Sequence, residues 1–318
     1  MKGSYTIKIR NRRVTYTLTL ERNITVICGN SGTGKTTLIQ SISYYEELGE
    51  KSGVHIDSPR PCRVLTGKKW AAELEEITAS FIFIDEGNAF ITTGDFARAI
   101  KGTDNYYIIV TRENLYQLPY SVSSILELKK STSRFKHTYN RTYPLYDHIS
   151  EVNKKLSAYD AFLTEDSNSG NDFFSHIAER FHMECISAGG KSRILDRMRA
   201  MEDKKQIVVC DGAAFGAEMA DVHHYYKLHE SDILLYLPES FEWLILSSGI
   251  IEDPEISEIL KSPSDHIDST KYMSWEQYFS DVLNAKTAHT PAKYTKRRLN
   301  DFYLRDENVE RIVNRIES

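Results

Sequence analysis

A chain of 318 residues, 41% hydrophobic and 27% charged, can bury a sizeable core and needs neither disulfides nor a structural metal to hold it. Its formal net charge of −5 and pI of about 6.1 exclude a protein that grips nucleic acid through bulk charge, leaving only local basic patches for that purpose. The four cysteines, Cys28, Cys62, Cys185 and Cys210, form no Cys-x-x-Cys pair and read as reduced thiols of a cytoplasmic protein; no apolar run approaches the ~20 residues of a membrane span, and no secretory leader is expected.

Residues 5–20 alternate in polarity around Asn11-Arg12-Arg13, which predicts a β-hairpin. The apolar run 24–28 predicts a buried strand, followed by a glycine-rich turn and a helix from about Lys35 to Leu48. Residues 51–68 read as irregular and 69–79 as helical. Residues 81–84 predict a buried strand ending at Asp85-Glu86, Asp95 to Ile100 a short helix, and 106–110 a strand ending at Thr111-Arg112. Ile125 to Leu128 is a further strand candidate. The polar stretch 129–158 carries no strand signal, and the domain junction is expected there. A second alternation follows, with strands at 161–164, 184–187, 206–210 and 233–237 and helices at 172–181, 192–201, about 217–228 and from Ser240. The remainder, from about residue 252, reads as helical and charged. Strands alternating with helices predict parallel sheets covered by helices, an α/β fold in two domains. The expected boundaries are 1–135 for the first domain, 136–158 for a linker, 159–250 for the second domain and 251–318 for a helical C-terminal tail.

Gly29-Asn30-Ser31-Gly32-Thr33-Gly34-Lys35-Thr36 satisfies G-x-x-x-x-G-K-[ST] between a predicted strand and a predicted helix. Glycines let backbone N–H groups wrap close to phosphate oxygens, and the helix N-terminus adds its dipole. Lys35 is expected to reach the β- and γ-phosphates and Thr36 to ligate Mg²⁺, with Thr37 beside them; the implied cofactors are ATP and Mg²⁺. Asp85, ending a buried strand about fifty residues later, is the expected second holder of the metal, and Glu86 the group that orients or deprotonates attacking water. Thr111, ending the next strand, is the candidate sensor of the γ-phosphate, with Arg112 the weaker choice. His223 and His224 are adjacent on a helix and point in different directions, which argues against one shared metal. The run Lys293-Tyr294-Thr295-Lys296-Arg297-Arg298 reads as a solvated face, with a nucleic-acid contact as the alternative.

With these motifs, residues 1–130 resemble a compact P-loop ATPase of the additional-strand group, which includes AAA+ and ABC-type domains; no LSGGQ-like signature is present, so an ABC-style composite site is not implied. Residues 159–250 resemble a Toprim domain, through Phe162-Leu163-Thr164-Glu165-Asp166, the turn Ala188-Gly189-Gly190-Lys191, the strand ending Cys210-Asp211-Gly212-Ala213, and Leu235-Tyr236-Leu237-Pro238. This likeness implies a divalent metal held by Glu165 and Asp211, with Asp166 or Glu242 as further candidates. The second aspartate of the family's Asp-x-Asp is Ala213 here, which removes one ligand. Together the two domains resemble the OLD-family ATPase–nucleases, associated with defence against phage and mobile DNA. The implied function is an ATP-hydrolysing regulator controlling a metal-dependent nuclease domain. The alternative is a nucleotide-gated binding module whose Toprim-like domain is inactive. ATP is the expected partner; nucleic acid, a partner protein or a second copy stay open, and no membrane is expected. A small-molecule kinase is disfavoured by Glu86, since paired acids at that place suit water activation.

Overall fold

The computed structural model describes residues 1–29, 32–132, 137–146 and 155–317. It divides into two compact units, one formed by Met1–Tyr146 together with Ser262–Met273, the other by Asp147–Lys261 together with Ser274–Ser318. Both are mixed α/β, and among the described residues no helix is long and apolar enough to cross a membrane.

The first unit is built on a nine-stranded sheet. Its elements in chain order are β1 (Tyr5–Arg10), β2 (Val14–Leu20), β3 (Ile24–Cys28), α1 (Lys35–Leu48), β4 (His55–Asp57), β5 (Cys62–Val64), α2 (Trp70–Glu76), β6 (Phe81–Ile84), α3 (Gly94–Ala99), β7 (Tyr106–Val110), β8 (Ile125–Thr132) and β9 (Thr138–Pro144). The strand order is β4-β1-β2-β9-β8-β3-β7-β6-β5. From β8 through β5 every pairing is parallel, and β7 separates β3 from β6.

The two halves of this sheet differ as their sequences do. Strands β6 and β7 are buried at every position, as continuous apolar runs covered on both faces should be. Leu38, Ile39 and Ile42 of α1 join one core with Ile27, Phe83 and Ile108. Elsewhere Trp70, Phe90 and Phe96 pack ring to ring, and Phe96 meets Tyr107 edge-on at 6.1 Å. In β1 and β2 burial alternates, with Ile7, Ile9, Tyr16 and Leu18 turned inward and Lys8, Arg10 and Thr19 outward.

The stretch expected to be irregular, 51–68, holds the three-residue strands β4 and β5, too short to leave a periodic signal. The stretch expected to lack strands holds the last turns of β8 and all of β9, which pair antiparallel from Leu126↔Pro144 to Thr132↔Thr138. On β9 only the polar Asn140 is buried, so no apolar alternation marks it; its Thr and Tyr residues supply the β-propensity instead. Residues 262–273, expected in the C-terminal tail, belong to the first unit: Gly3 N–H donates to the Ser264 carbonyl at 2.7 Å, Ser269 N–H to that of Met1 at 3.0 Å, and Asn23 Nδ2 to that of Met273 at 3.3 Å.

The second unit contains β10 (Ala161–Thr164), α4 (Ser169–Phe181), β11 (Glu184–Ser187), α5 (Ile194–Ala200), β12 (Gln206–Val209), α6 (Met219–Leu228), β13 (Ile233–Tyr236) and α7 (Phe241–Ser247). Its four strands are all parallel, in the order β11-β10-β12-β13. Phe162, Phe173, Phe174 and Phe241 are buried together, with ring centroids 5.3–6.2 Å apart. The helices Pro254–Lys261, Trp275–Thr287 and Asp306–Glu317 follow. Between the last two, the chain runs past the start of α4, where Ser169 N–H donates to the Lys296 carbonyl at 3.0 Å and Leu299 N–H to Asp172 Oδ2 at 2.9 Å.

The alternation in β2 gives a direct test. Leu18 is fully buried and Thr17 faces outward. Leu18→Ala should lower stability by about 2–5 kcal/mol, whereas Thr17→Val should change it by less than about 0.5 kcal/mol. Urea unfolding of the two variants and the parent measures both; equal effects would contradict the assigned faces.

Candidate functional site

In a parallel sheet the loops after the strands gather at one edge, and that edge is where ligands bind in open α/β folds. Here the loops after β3, β6 and β7 meet there. Gly32, Thr33, Gly34, Lys35, Thr36, Thr37, Asp85, Glu86 and Arg112 line one cleft of about 550 Å³, within the ~300–1,000 Å³ usual for small-molecule sites. Asn30 and Ser31 lie outside the described residues. Gly29, Gly32 and Gly34 all have positive φ (117°, 83° and 97°), a backbone that side chains rarely adopt.

The loop is held from below. Tyr16 Oη on β2 donates to the Gly34 carbonyl at 2.9 Å, and the Leu38 N–H closes the first turn of α1 on the same oxygen, also at 2.9 Å. A Cβ at Gly34 would lie 2.8 Å from Tyr16 Oη and 3.1 Å from Asn140 Nδ2. Tyr16 and Asn140 are thus positioning residues for the loop. Neither carries a motif, and Asn140 falls in a stretch without apparent strand character.

Lys35 is 6% exposed and donates to the Gly29 carbonyl at 2.6 Å and to Thr33 Oγ1 at 3.4 Å. Burial, and then the nearby Arg112 guanidinium, lower its pKa, while Glu86 and Asp85 act the other way. The lining of the cleft thus carries two cations, Lys35 and Arg112, and two carboxylates, Asp85 and Glu86. Across the cleft, Asp85 Oδ1 accepts the Glu86 N–H at 2.8 Å, and Asn88 Nδ2 donates to the Asp85 carbonyl at 2.9 Å. Glu86 lies 3.8 Å from Arg112. The residue after β7 that reaches the cleft is Arg112, the weaker choice from sequence. Thr111 is 2% exposed, does not line the cleft, and uses its Oγ1 to accept the Glu113 N–H at 3.0 Å.

The second unit has its own polar cleft at the ends of β10 and β12, lined by Glu165, Asp166, Asp211, Glu242 and Lys296 among others. Its volume of about 40 Å³ is room for about three waters and far too little for a nucleotide. Asp211 N–H donates to Glu165 Oε2 at 3.1 Å. By standard bond lengths this puts the two carboxylates less than about 8 Å apart. Burial pushes the Glu165 carboxyl up to about 7, with the Glu276 carboxylate adding to the rise and the Asp211 N–H opposing it. Asp211 is raised well above the usual carboxylate range by burial and then by Glu276, Glu165 and Glu242.

The cation in this cleft is Lys296. It pairs with Glu276, and although burial disfavours its charge, Glu276, Glu242 and Asp211 hold its pKa above the ordinary value. The run 293–298 passes into a turn at Lys296-Arg297: Tyr294 is 2% exposed and Lys296 half-buried, while Lys293, Thr295, Arg297 and Arg298 are exposed. Tyr294 Oη donates to Glu242 Oε1 at 2.7 Å and contacts Ser169 Oγ at 2.6 Å, which ties the segment down. Ala213 is 1% exposed, and its N–H donates to the Glu239 carbonyl at 3.1 Å. Among the described residues, no three His, Cys, Asp or Glu side chains are arranged to hold a metal ion. No protein-family model matches the chain, and no curated protein is similar to it in sequence.

The contact under Gly34 gives the test for this site. Gly34→Ala should lower the melting temperature, because a left-handed backbone costs a non-glycine residue roughly 1–2 kcal/mol and the new methyl meets Tyr16 Oη. Tyr16→Phe alone should also lower it, because the hydrogen bond to the Gly34 carbonyl is lost, but should cost less in the Gly34→Ala background, where the clash goes with the oxygen. Equal costs in the two backgrounds would mean that the hydroxyl does not press on the loop.

Proposed function

We propose that the first unit binds and hydrolyses ATP with Mg²⁺. The observation that carries this reading is the single cleft in which a G-x-x-x-x-G-K-T loop, with Lys35 and Thr36 in it, faces Asp85 and Glu86. The insertion of β7 between β3 and β6, the strand arrangement of the additional-strand P-loop group, supports it further. The residues fit the metal: the Thr36 hydroxyl and the Asp85 carboxylate are hard oxygen donors lining one cleft. They would hold Mg²⁺, which when bound neutralises charge on the β- and γ-phosphate oxygens. Lys35 supplies a fixed cation to the same oxygens, and backbone N–H groups of 32–36 orient them. Glu86 accepts the proton of attacking water, and Arg112 offers a second cation to the transferred phosphoryl group.

For the second unit we favour the reading of a Toprim-like domain without nuclease chemistry. A tethered ammonium, that of Lys296, lies among the carboxylates where the resemblance implies a metal, and Ala213 offers no ligand. The residues present do not fit a divalent ion while Lys296 is there. The chain is then a nucleotide-gated binding module, with ATP turnover confined to the first unit.

Two measurements test these readings. Lys35→Ala should abolish tight ATP binding with the melting curve intact, and Glu86→Gln should bind ATP yet release phosphate ~10²–10⁴-fold more slowly; parent-like affinity in the first and turnover in the second would refute the ATPase reading. In the full chain, Mn²⁺ should leave the melting temperature of the parent unchanged but raise that of Lys296→Met, where the carboxylates lose their cation. Stabilisation of the parent by Mn²⁺, lost in Glu165→Gln, would restore the metal site and the nuclease reading with it.

A further inference from the structure

Strands β4, β1, β2, β9 and β8 leave one face of the first unit's sheet exposed, and their register sorts that face into rows. One row runs Asp57, Lys8, Thr17, Arg141, Lys129; the next runs His55, Arg10, Thr15, Tyr139, Ser131. Tyr143 continues the face on β9, opposite Glu127. Lys8, Arg10, Lys129 and Arg141 are all exposed, and Tyr139 and Tyr143 are 44% and 41% exposed. In a chain of net charge −5, four cations among the described strand residues share one face with two carboxylates, Asp57 and Glu127, the latter paired with Lys129 at 2.9 Å.

The chemistry of the face is specific. Its middle strand presents Thr15 and Thr17, small side chains that leave a shallow platform between the charged strands. Along β9, Tyr139, Arg141 and Tyr143 stand two residues apart, about 7 Å from one to the next. The tyrosine rings are buttressed: His137 packs against Tyr139 at 4.9 Å, and the Lys129 ammonium lies 5.2 Å from the Tyr143 ring centre. Two tyrosine rings and an arginine between them thus stand on one strand beside further cations, the combination of stacking surface and positive charge that a platform for unpaired bases uses.

We propose that this face binds single-stranded nucleic acid. Lys8, Arg10, Arg141 and Lys129 would take backbone phosphates, and Tyr139 and Tyr143 would stack on unpaired bases. A duplex keeps its bases stacked on each other, and an open sheet face offers it only the cations. An acidic protein surface would use the cations too, but would leave the tyrosines without a role. The proposal does not rest on the ATPase reading.

The test is fluorescence anisotropy with a labelled oligo(dT) of about twelve nucleotides, a length spanned by platforms of this kind. The full-length parent should bind with a Kd of about 1–100 µM and a log–log salt slope of about −3, for four phosphates on a single strand. Lys8→Glu with Arg141→Glu should weaken binding by tenfold or more and flatten the slope. Tyr139→Ala and Tyr143→Ala should each weaken it about tenfold at constant salt while leaving the slope unchanged. All four changes are on exposed side chains, and melting curves check the fold. Lys35→Ala, defective in ATP binding, should hold the oligonucleotide as the parent does, which separates this result from failure of the ATPase reading. No binding by the parent, parent-like binding by the charge-reversed variant, or duplex and polyglutamate competing as well as oligo(dT) would each overturn the proposal, the last in favour of a general polyanion or protein contact.

Discussion

Parallel pairing of β3, β7 and β6 is the constraint on which the first unit depends. Parallel strands share one direction, so the loops that leave them must emerge along one edge of the sheet. Residues far apart in sequence, Lys35, Asp85 and Arg112, become neighbours in one cleft. The remaining requirement is that the glycine loop leave the sheet at a fixed height. The Tyr16 hydroxyl meets it by occupying the Gly34 carbonyl from beneath, on a strand at the other side of the sheet order.

What could be read in the sequence was governed by burial. Strands β3, β6, β7, β10, β12 and β13 are short apolar runs bounded by polar turns, and each lies within a residue of its expected limits, because a strand covered on both faces has no alternative composition. The α/β class followed from their alternation with helices. Strand β9 escaped because its one inward side chain is an asparagine: a pattern that reports apolar burial is silent about a strand whose inward contact is polar. The two candidate sites show the same division. The loop 29–36 is a run of contiguous residues, so its motif stands in the sequence, and the structure brings Gly32 to Thr36 of it into one cleft with Asp85, Glu86 and Arg112. The choice between Thr111 and Arg112 turned on a half-turn of backbone after β7, for which the sequence holds no period. Lys296 was hidden in a run of cations, where charge suggests solvent; a turn at 296–297 and the ion pair with Glu276 set it apart, and neither leaves a pattern in the sequence.

The arrangement around Lys296 illustrates how a half-buried charge is kept. Its ammonium gives up part of its hydration, which carboxylates and hydrogen bonds replace. Here the replacement is mutual. At the strand ends burial and the Glu276, Glu165 and Glu242 carboxylates raise the proton affinity of Asp211, and the Lys296 ammonium opposes them, as Lys191 opposes the rise at Glu165. A mobile ion does this in exchange with solvent. A lysine on a segment pinned by Tyr294 and Ser169 does it as part of the fold, so the charge balance of the pocket is set by the covalent chain.

The return of residues 262–273 to the first unit bears on how the chain is made. Synthesis proceeds from the N-terminus, and domains generally fold as they emerge. The first unit cannot complete its own hydrogen bonding at Met1, Gly3 and Asn23 until residue 273 has left the ribosome, by which time the four-stranded sheet of the second unit is already available to fold. The unit begun first is therefore completed only after most of the second has been made. A truncation near residue 150 does not cut the protein into its two units: it leaves twelve residues of the first unit stranded in the second fragment, and the two halves are inseparable as genes even though each has a core of its own.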